Sequence, residues 1–294
     1  MDKAATHMRI YITEQCNAKC ANCFNKDQRS LSTMDFDHFK RLCIYLNQNS
    51  VHHIKIMGGE PTMHPEFGRF VKFAQTQFDA VSVFTNAINN NICNFEPRAS
   101  DSIIYNFKFS KAFTVEKMMA NKPGNRALEL QVSTNINYQS IKSEFQRITN
   151  LVPSISVNLT LDCTANIFAE RDLILKNYEK IMELCTMTNI NICQDHIAPL
   201  CFVKGSSIAI PNTGANCNEE CAGLIDANYR LRYCNQFPKI LATMFNSDES
   251  IIKWKDLQII IHNAFQEILN TRKVSCQSCP YWEVLCNGGC FLGK

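Results

Sequence analysis

Short apolar runs alternate with amphipathic stretches of helical period through roughly the first two-thirds of the chain, and this rhythm restricts the fold more than any other feature. The expected strands are 9–13, 53–57, 80–85, 102–109, 128–133, 156–161 and 189–193. Several are rich in Val and Ile and bounded by polar residues, Gly or Pro, as buried parallel strands are. Between them, Phe36, Phe39, Leu42, Cys43 and Leu46 repeat at helical spacing behind an expected N-cap at Ser32 or Thr33. Further helices are expected at 65–78, 113–121, 138–150 and 169–185. Strand and helix in turn imply right-handed βαβ units and a parallel sheet, open or closed. Functional loops then belong at the C-terminal ends of the strands. The rhythm stops near Pro199, and one more helix is expected at about 250–271. The expected division is therefore a large domain over 1–200 and a smaller one over 201–294.

The sixteen cysteines make up about 5% of the 294 residues, below the density of short disulfide scaffolds. Residues 1–7 are polar and the apolar run 8–12 is too short for a secretory signal. No stretch approaches the roughly 18 apolar residues of a membrane span, so no membrane partner is expected. A cytoplasmic, reducing location follows, where clustered cysteines bind metal more often than they form disulfides. The net charge of +3 is small for this length and points away from nucleic acid.

Cys16, Cys20 and Cys23 form C-x3-C-x2-C directly after the first strand. Three thiolates on one loop suit three irons of a cubane and leave the fourth iron without a protein ligand. The same residues read as a zinc site with a distant fourth ligand, or as buried thiols. Met57-Gly58-Gly59-Glu60-Pro61 follows the second strand, about 35 residues on. Two glycines admit a ligand close to the backbone, and a carboxylate beside them can hold an ammonium.

In these two elements, in this order, the chain resembles the radical S-adenosylmethionine (SAM) superfamily. The resemblance implies an α/β fold, a partial (β/α)6 barrel, with Cys16, Cys20 and Cys23 holding a [4Fe–4S] cluster. It implies that SAM binds the open iron, with Gly58, Gly59 and Glu60 at its ammonium group. It further implies reductive cleavage of SAM to a 5′-deoxyadenosyl radical that abstracts a substrate hydrogen. Ser133 and Asn135, closing a later strand, are candidates for the ribose or carboxylate of SAM. The chain departs from the family pattern at Asn22, where an aromatic residue is usual, and at Thr85-Asn86-Ala87, where Thr-Asn-Gly is usual.

The last third carries Cys217, Cys221 and Cys234, then Cys276-x2-Cys279-x6-Cys286-x3-Cys290. The later group alone could form a tetrahedral zinc site. Residues 224–233 alternate about a turn signal at Asp226–Asn228 and read as a β-hairpin with a cysteine at each end. This region resembles the SPASM extension of radical SAM enzymes, a small cysteine-rich domain for auxiliary [4Fe–4S] clusters. By that resemblance Cys217, Cys221, Cys234 and Cys290 hold a first auxiliary cluster, and Cys276, Cys279 and Cys286 begin a second. Tyr229 stands where the pattern has glycine.

Asp162, Asp195 and His196 lie near strand ends and are candidate general bases. Cys43 and Cys185 fall within helical patterns and read as core. His52, His53 and His64 flank Gly-Gly-Glu-Pro without ligand spacing. SPASM-bearing enzymes often modify peptides or proteins, which makes a peptide the expected substrate. The chain begins just before its first strand, so any leader-binding protein is expected to be separate. A small metabolite such as an amino sugar, nucleoside or amino-acid derivative is the alternative, and a non-enzymatic zinc protein the remote one. The family implies ferredoxin or flavodoxin as electron donor.

Overall fold

The computed structural model describes residues 7–20, 23, 25, 30–106, 124–132, 136–151, 155–161, 169–194, 200–204, 206, 221–234, 237, 239–270, 276 and 278–280. The chain divides into two compact units. One comprises Met1–Ile104, Ala120–Asn125 and Asn218–Leu269, the other Tyr105–Met119, Arg126–Cys217 and Asn270–Lys294.

In the first unit, β1 (His7–Thr13) buries Met8, Ile10 and Ile12 on one face, as the two-residue period of a strand dictates. It pairs in parallel with β2 (His53–Gly58), His7 opposite His53. β2 pairs in parallel with β3 (Ala80–Thr85), and β4 (Ser102–Asn106) follows in the sheet. Between β1 and β2 runs α1 (Phe36–Gln48), which buries the five residues whose spacing predicts it. Its cap is Asp35 rather than Ser32 or Thr33: the Asp35 carboxylate accepts from the N–H groups of Asp37 and His38 at 2.9 and 3.0 Å. Thr33 instead forms an isolated antiparallel bridge with Thr13, which keeps it extended. A 3₁₀ turn, Pro61–Met63, precedes α2 (Phe67–Gln77). The helix expected at 65–78 thus starts two residues late. Phe70 of α2 packs on Phe36 and Phe39 of α1 with ring centroids 5.3 and 4.5 Å apart, a spacing that adds to simple area burial.

In the second unit, β5 (Asn125–Val132, nearly all in this unit), β6 (Ile155–Leu161) and β7 (Asn191–Gln194) pair in parallel. The intervening helices are α3 (Tyr138–Leu151) and α4 (Arg171–Met187), followed by the short α5 (Leu200–Val203). Ile141, Phe145 and Ile148 of α3 and Ile174, Tyr178 and Ile181 of α4 are fully buried. The helix expected at 113–121 lies outside the described residues.

The C-terminal region returns to the first unit. β8 (Cys221–Ile225) pairs in parallel with β1, and with β9 (Arg230–Arg232) in an antiparallel hairpin, as the alternation at 224–233 predicts. β10 (Ala242–Thr243) adds to β9, and α6 (Trp254–Asn270) packs its Phe265 ring on Tyr233. The first unit's strand order is β10-β9-β8-β1-β2-β3-β4. Residues 218–269 therefore share a unit with the N-terminal strands, because β8 bonds directly to β1. The fold is α/β with a parallel sheet, as the rhythm of the sequence predicts. No helix among the described residues is long and apolar enough to cross a membrane.

Candidate functional site

Three neighbouring parallel strands of the first unit end together: β1 at Thr13, β2 at Gly58 and β3 at Thr85. In such a sheet the loops beyond these ends emerge on one side, where ligands bind.

The loop after β1 carries Cys16, Cys20 and Cys23, none of them in a disulfide and all of intermediate exposure. Its entry is fixed by Gln15, whose N–H donates to the Thr13 hydroxyl at 3.1 Å and whose side-chain amide donates to the Leu31 carbonyl at 3.0 Å. Its two flanks are tied to each other: Asn25 donates to the Glu14 carboxylate at 2.8 Å, and both side chains are buried. Burial raises the Glu14 pKa, with Asp226 adding to the rise and Asn25 and Arg232 opposing it. Cys16 also receives the N–H of Ala18 at 3.4 Å.

Gly58 and Gly59 form the floor beneath this loop. The Gly59 N–H donates to Thr13 O at 2.9 Å and the Glu60 N–H to Gln15 O at 2.7 Å. A Cβ on Gly59 would lie 2.3 Å from Gln15 O and 2.5 Å from Glu14 O. On Gly58, whose φ is +154°, it would lie 2.2 Å from Thr13 O. The backbone of Thr13, Glu14 and Gln15, the end of β1 and the entry to the cysteine loop, occupies the space that side chains would need, which is why both positions are glycine.

Glu60 is 1% exposed, and its carboxylate is occupied by donors from its own chain. One oxygen accepts from the Thr62 hydroxyl at 2.6 Å, the Thr85 hydroxyl at 2.7 Å and the Thr62 N–H at 3.2 Å. The other accepts from the Asn86 N–H at 2.7 Å. Burial raises its pKa, against the pull of these four donors. Such a carboxylate has about four acceptor sites; three donors crowd Oε1 and one meets Oε2. Glu60 thus braces the end of β2 against the end of β3. At that end Ala87 takes the left-handed conformation (φ +54°) usual for glycine, held by its N–H on the Thr85 hydroxyl at 3.0 Å.

The remaining residues singled out by sequence divide between described and undescribed positions. Cys221 opens β8, and Cys234, of intermediate exposure, bridges to Phe237 just after β9. The two thus flank the hairpin. Cys276 and Cys279 share a turn in which the Cys279 N–H donates to Cys276 O at 3.0 Å. Ser133, Asn135, Asp162, Asp195, His196, Cys217, Cys286 and Cys290 lie outside the described residues, as does Asn22. Cys43 and Cys185 are fully buried core residues, and burial pushes the Cys185 thiol up to about 12. Tyr229 adopts the left-handed conformation (φ +60°) that the expected glycine would supply. Thr62, Thr85 and Asn86 as donors to Glu60, and the Glu14–Asn25 tie, were not legible in the sequence. Thr85-Asn86 at the end of the third strand was the available signal.

Among the described residues, no three Cys, His, Asp or Glu side chains converge on a single ion position. Three cysteines on one half-exposed loop, beside glycines that admit no side chain, are the donor set of a cubane with three protein ligands.

Comparison with known proteins agrees with this geometry. The Radical SAM superfamily profile matches residues 10–107. The GTP 3′,8-cyclase of Chlorobaculum tepidum is 28% identical over 89 residues, 29% of this chain and 27% of that protein. The probable GTP 3′,8-cyclase of Thermococcus kodakarensis is 28% identical over 86 residues, 29% of this chain and 28% of that protein. The chain thus matches less than a third of the length of either relative. Among solved structures, Streptococcus suis SuiB bound to its precursor peptide SuiA superposes with a TM-score of 0.71 at 14% identity, covering 99% of this chain and 72% of that one. Native anSMEcpe with bound AdoMet and the Cp18Cys peptide gives 0.61 at 14% identity, covering 97% and 89%. At such identity these are likenesses of fold. With the cysteine loop, the glycine floor and the profile in agreement, residues 10–107 of this chain are a radical SAM domain, the module of a family of iron–sulfur enzymes.

Proposed function

We propose that the chain is a radical SAM enzyme that modifies a peptide or protein substrate. The observation that carries the reading is the seating of the Cys16–Cys20–Cys23 loop on Gly58 and Gly59 through the Gly59 and Glu60 main-chain bonds. Cys16, Cys20 and Cys23 would hold the cluster, and Gly58, Gly59 and Glu60 would contact the amino group of SAM. When bound, cluster and SAM together supply one-electron cleavage of the sulfonium and the hydrogen abstraction that follows.

The chain's own residues keep that site in register. The Glu14–Asn25 tie closes the cysteine loop at its base, and Glu60 locks β2 to β3. Both act before any ligand arrives, as preorganisation requires. Ser133 and Asn135 are proposed for the ribose or carboxylate of SAM, and Asp162, Asp195 and His196 for proton transfer at the substrate. The hairpin flanked by Cys221 and Cys234 supports a SPASM-like C-terminal region, with Cys217 and Cys290 completing one auxiliary cluster and Cys276, Cys279 and Cys286 beginning another. A ferredoxin or flavodoxin is the proposed reductant, and a separate protein the proposed leader-binding partner.

The likeness over nearly the whole chain to SuiB and anSMEcpe, both solved with peptides, supports the peptide reading. A small-molecule substrate is the second reading, favoured by the naming of both sequence relatives as GTP 3′,8-cyclases. The test is 5′-deoxyadenosine release by the reduced protein with SAM. Stimulation by peptides and none by nucleotides supports the first reading, and the reverse selects the second.

A further inference from the structure

Asn86 is fixed at three points. Its main-chain N–H donates to Glu60 Oε2 at 2.7 Å, and its Oδ1 accepts the Ile88 N–H at 3.0 Å. Because Oδ1 is taken by a donor, the side-chain NH2 must face the other way. There it donates to Asn17 Oδ1 at 2.8 Å and reaches Cys16 Sγ at 4.0 Å. The amide thus points its two hydrogens at the cysteine loop: one is spent on Asn17, and the other lies along the first thiol. The Ala18 N–H at 3.4 Å approaches the same sulfur.

We propose that Asn86 is a positioning residue for the Cys16 thiolate: held by Glu60, it donates an N–H to that sulfur and makes the cluster bound there easier to reduce. The physical reason is charge. Reduction adds an electron whose density spreads onto the thiolate sulfurs, and an N–H aimed at one of them stabilises the reduced form. The acidic residue of Gly-Gly-Glu-Pro would then serve the cluster at one remove, by orienting Asn86. The inference rests on the reading of Cys16 as a cluster ligand.

The test compares anaerobically reconstituted wild type, Asn86→Ala and Asn86→Asp by iron content and by potentiometric titration of the cluster's paramagnetic signal. Asn86→Asp keeps the acceptor for Ile88 and replaces the NH2 by oxygen, so it tests the donor without dismantling the turn. The expected result is iron equal to wild type with a more negative midpoint in both variants, larger in Asn86→Asp. Poised at the wild-type midpoint, the ratio of reduced to oxidised cluster should fall several-fold. A midpoint equal to wild type in every variant that retains iron overturns the inference, as does loss of iron from both variants. A wild-type protein with no cubane signal overturns the family reading itself, which separates the two failures.

Discussion

The main-chain N–H of Glu60 donates to the carbonyl oxygen of Gln15 across 2.7 Å, so the acidic residue after β2 is bonded to the residue immediately before the first cysteine. The bond belongs to a zipper in which Gly59 lies too close to Gln15 and Glu14 to carry a Cβ. The cysteine loop and the glycine segment are one structural object.

Gly59→Ala is therefore expected to damage the loop specifically. Its Cβ would meet backbone, which cannot rotate away, and overpacking of this kind costs about 1–3 kcal/mol. Chemical denaturation should show that loss. Iron bound after reconstitution should fall with it, because the loop must move to make room. A variant with wild-type stability and iron content would show that the zipper does not position the loop.

Tyr229 offers a test of the hairpin. It holds a left-handed φ of +60°, while its hydroxyl accepts the Asp35 N–H at 2.8 Å and its ring packs on His38 and Phe245 at 5.1 and 5.2 Å. Tyr229→Ala loses these contacts and keeps the backbone strain, for an expected loss of about 2 kcal/mol. Tyr229→Gly loses the same contacts but relieves roughly 1 kcal/mol of strain, so it should be the more stable of the two in urea. The opposite order would contradict the assignment of strain.

Stability should fall in mild acid through His53. Burial, then the Lys55 cation, pull its imidazole from 6.5 down to about 4, with Asp101 acting in the other direction. His7 is pulled to about 2 by burial, Lys55, Arg9 and His53. The folded state thus refuses protons that the unfolded chain accepts. Stability is complete above the unfolded value near 6.5 and is lost as pH drops towards the folded values. His53→Gln retains a partner for the Ser82 hydroxyl, which His53 meets at 2.8 Å, and cannot titrate. Melting temperature measured from pH 8 to pH 4 should decline less steeply in the variant. Identical slopes would remove His53 from the account.

The two cysteine groups should separate by function. Cys20→Ala is expected to abolish SAM cleavage. Cys279→Ala should leave cleavage measurable while harming turnover of substrate. Equal loss of cleavage in both would refute that division.

Much of this was legible in the sequence, for physical reasons that differ by residue. The two-residue period of β1 and the helical spacing of Phe36, Phe39, Leu42, Cys43 and Leu46 depend on burial, which composition records directly. The hairpin at 224–233 was legible because its alternation breaks at a turn signal. The cap at Asp35 was missed because Ser32 and Thr33 are equally good capping residues, and only the Thr13–Thr33 bridge removes Thr33 from the choice. The occupation of Glu60 was invisible for a related reason. Its donors Thr62, Thr85 and Asn86 come from two segments about 25 residues apart, and only the sheet brings them together.

The measurement that bears most directly on the central claim is electron paramagnetic resonance of the anaerobically reconstituted, dithionite-reduced protein, recorded with and without SAM. The account predicts a [4Fe–4S] signal that changes shape on addition of SAM and is missing from a variant with Cys16, Cys20 and Cys23 all replaced by Ala. A cubane signal indifferent to SAM, or a protein that takes up zinc and no iron, would contradict it.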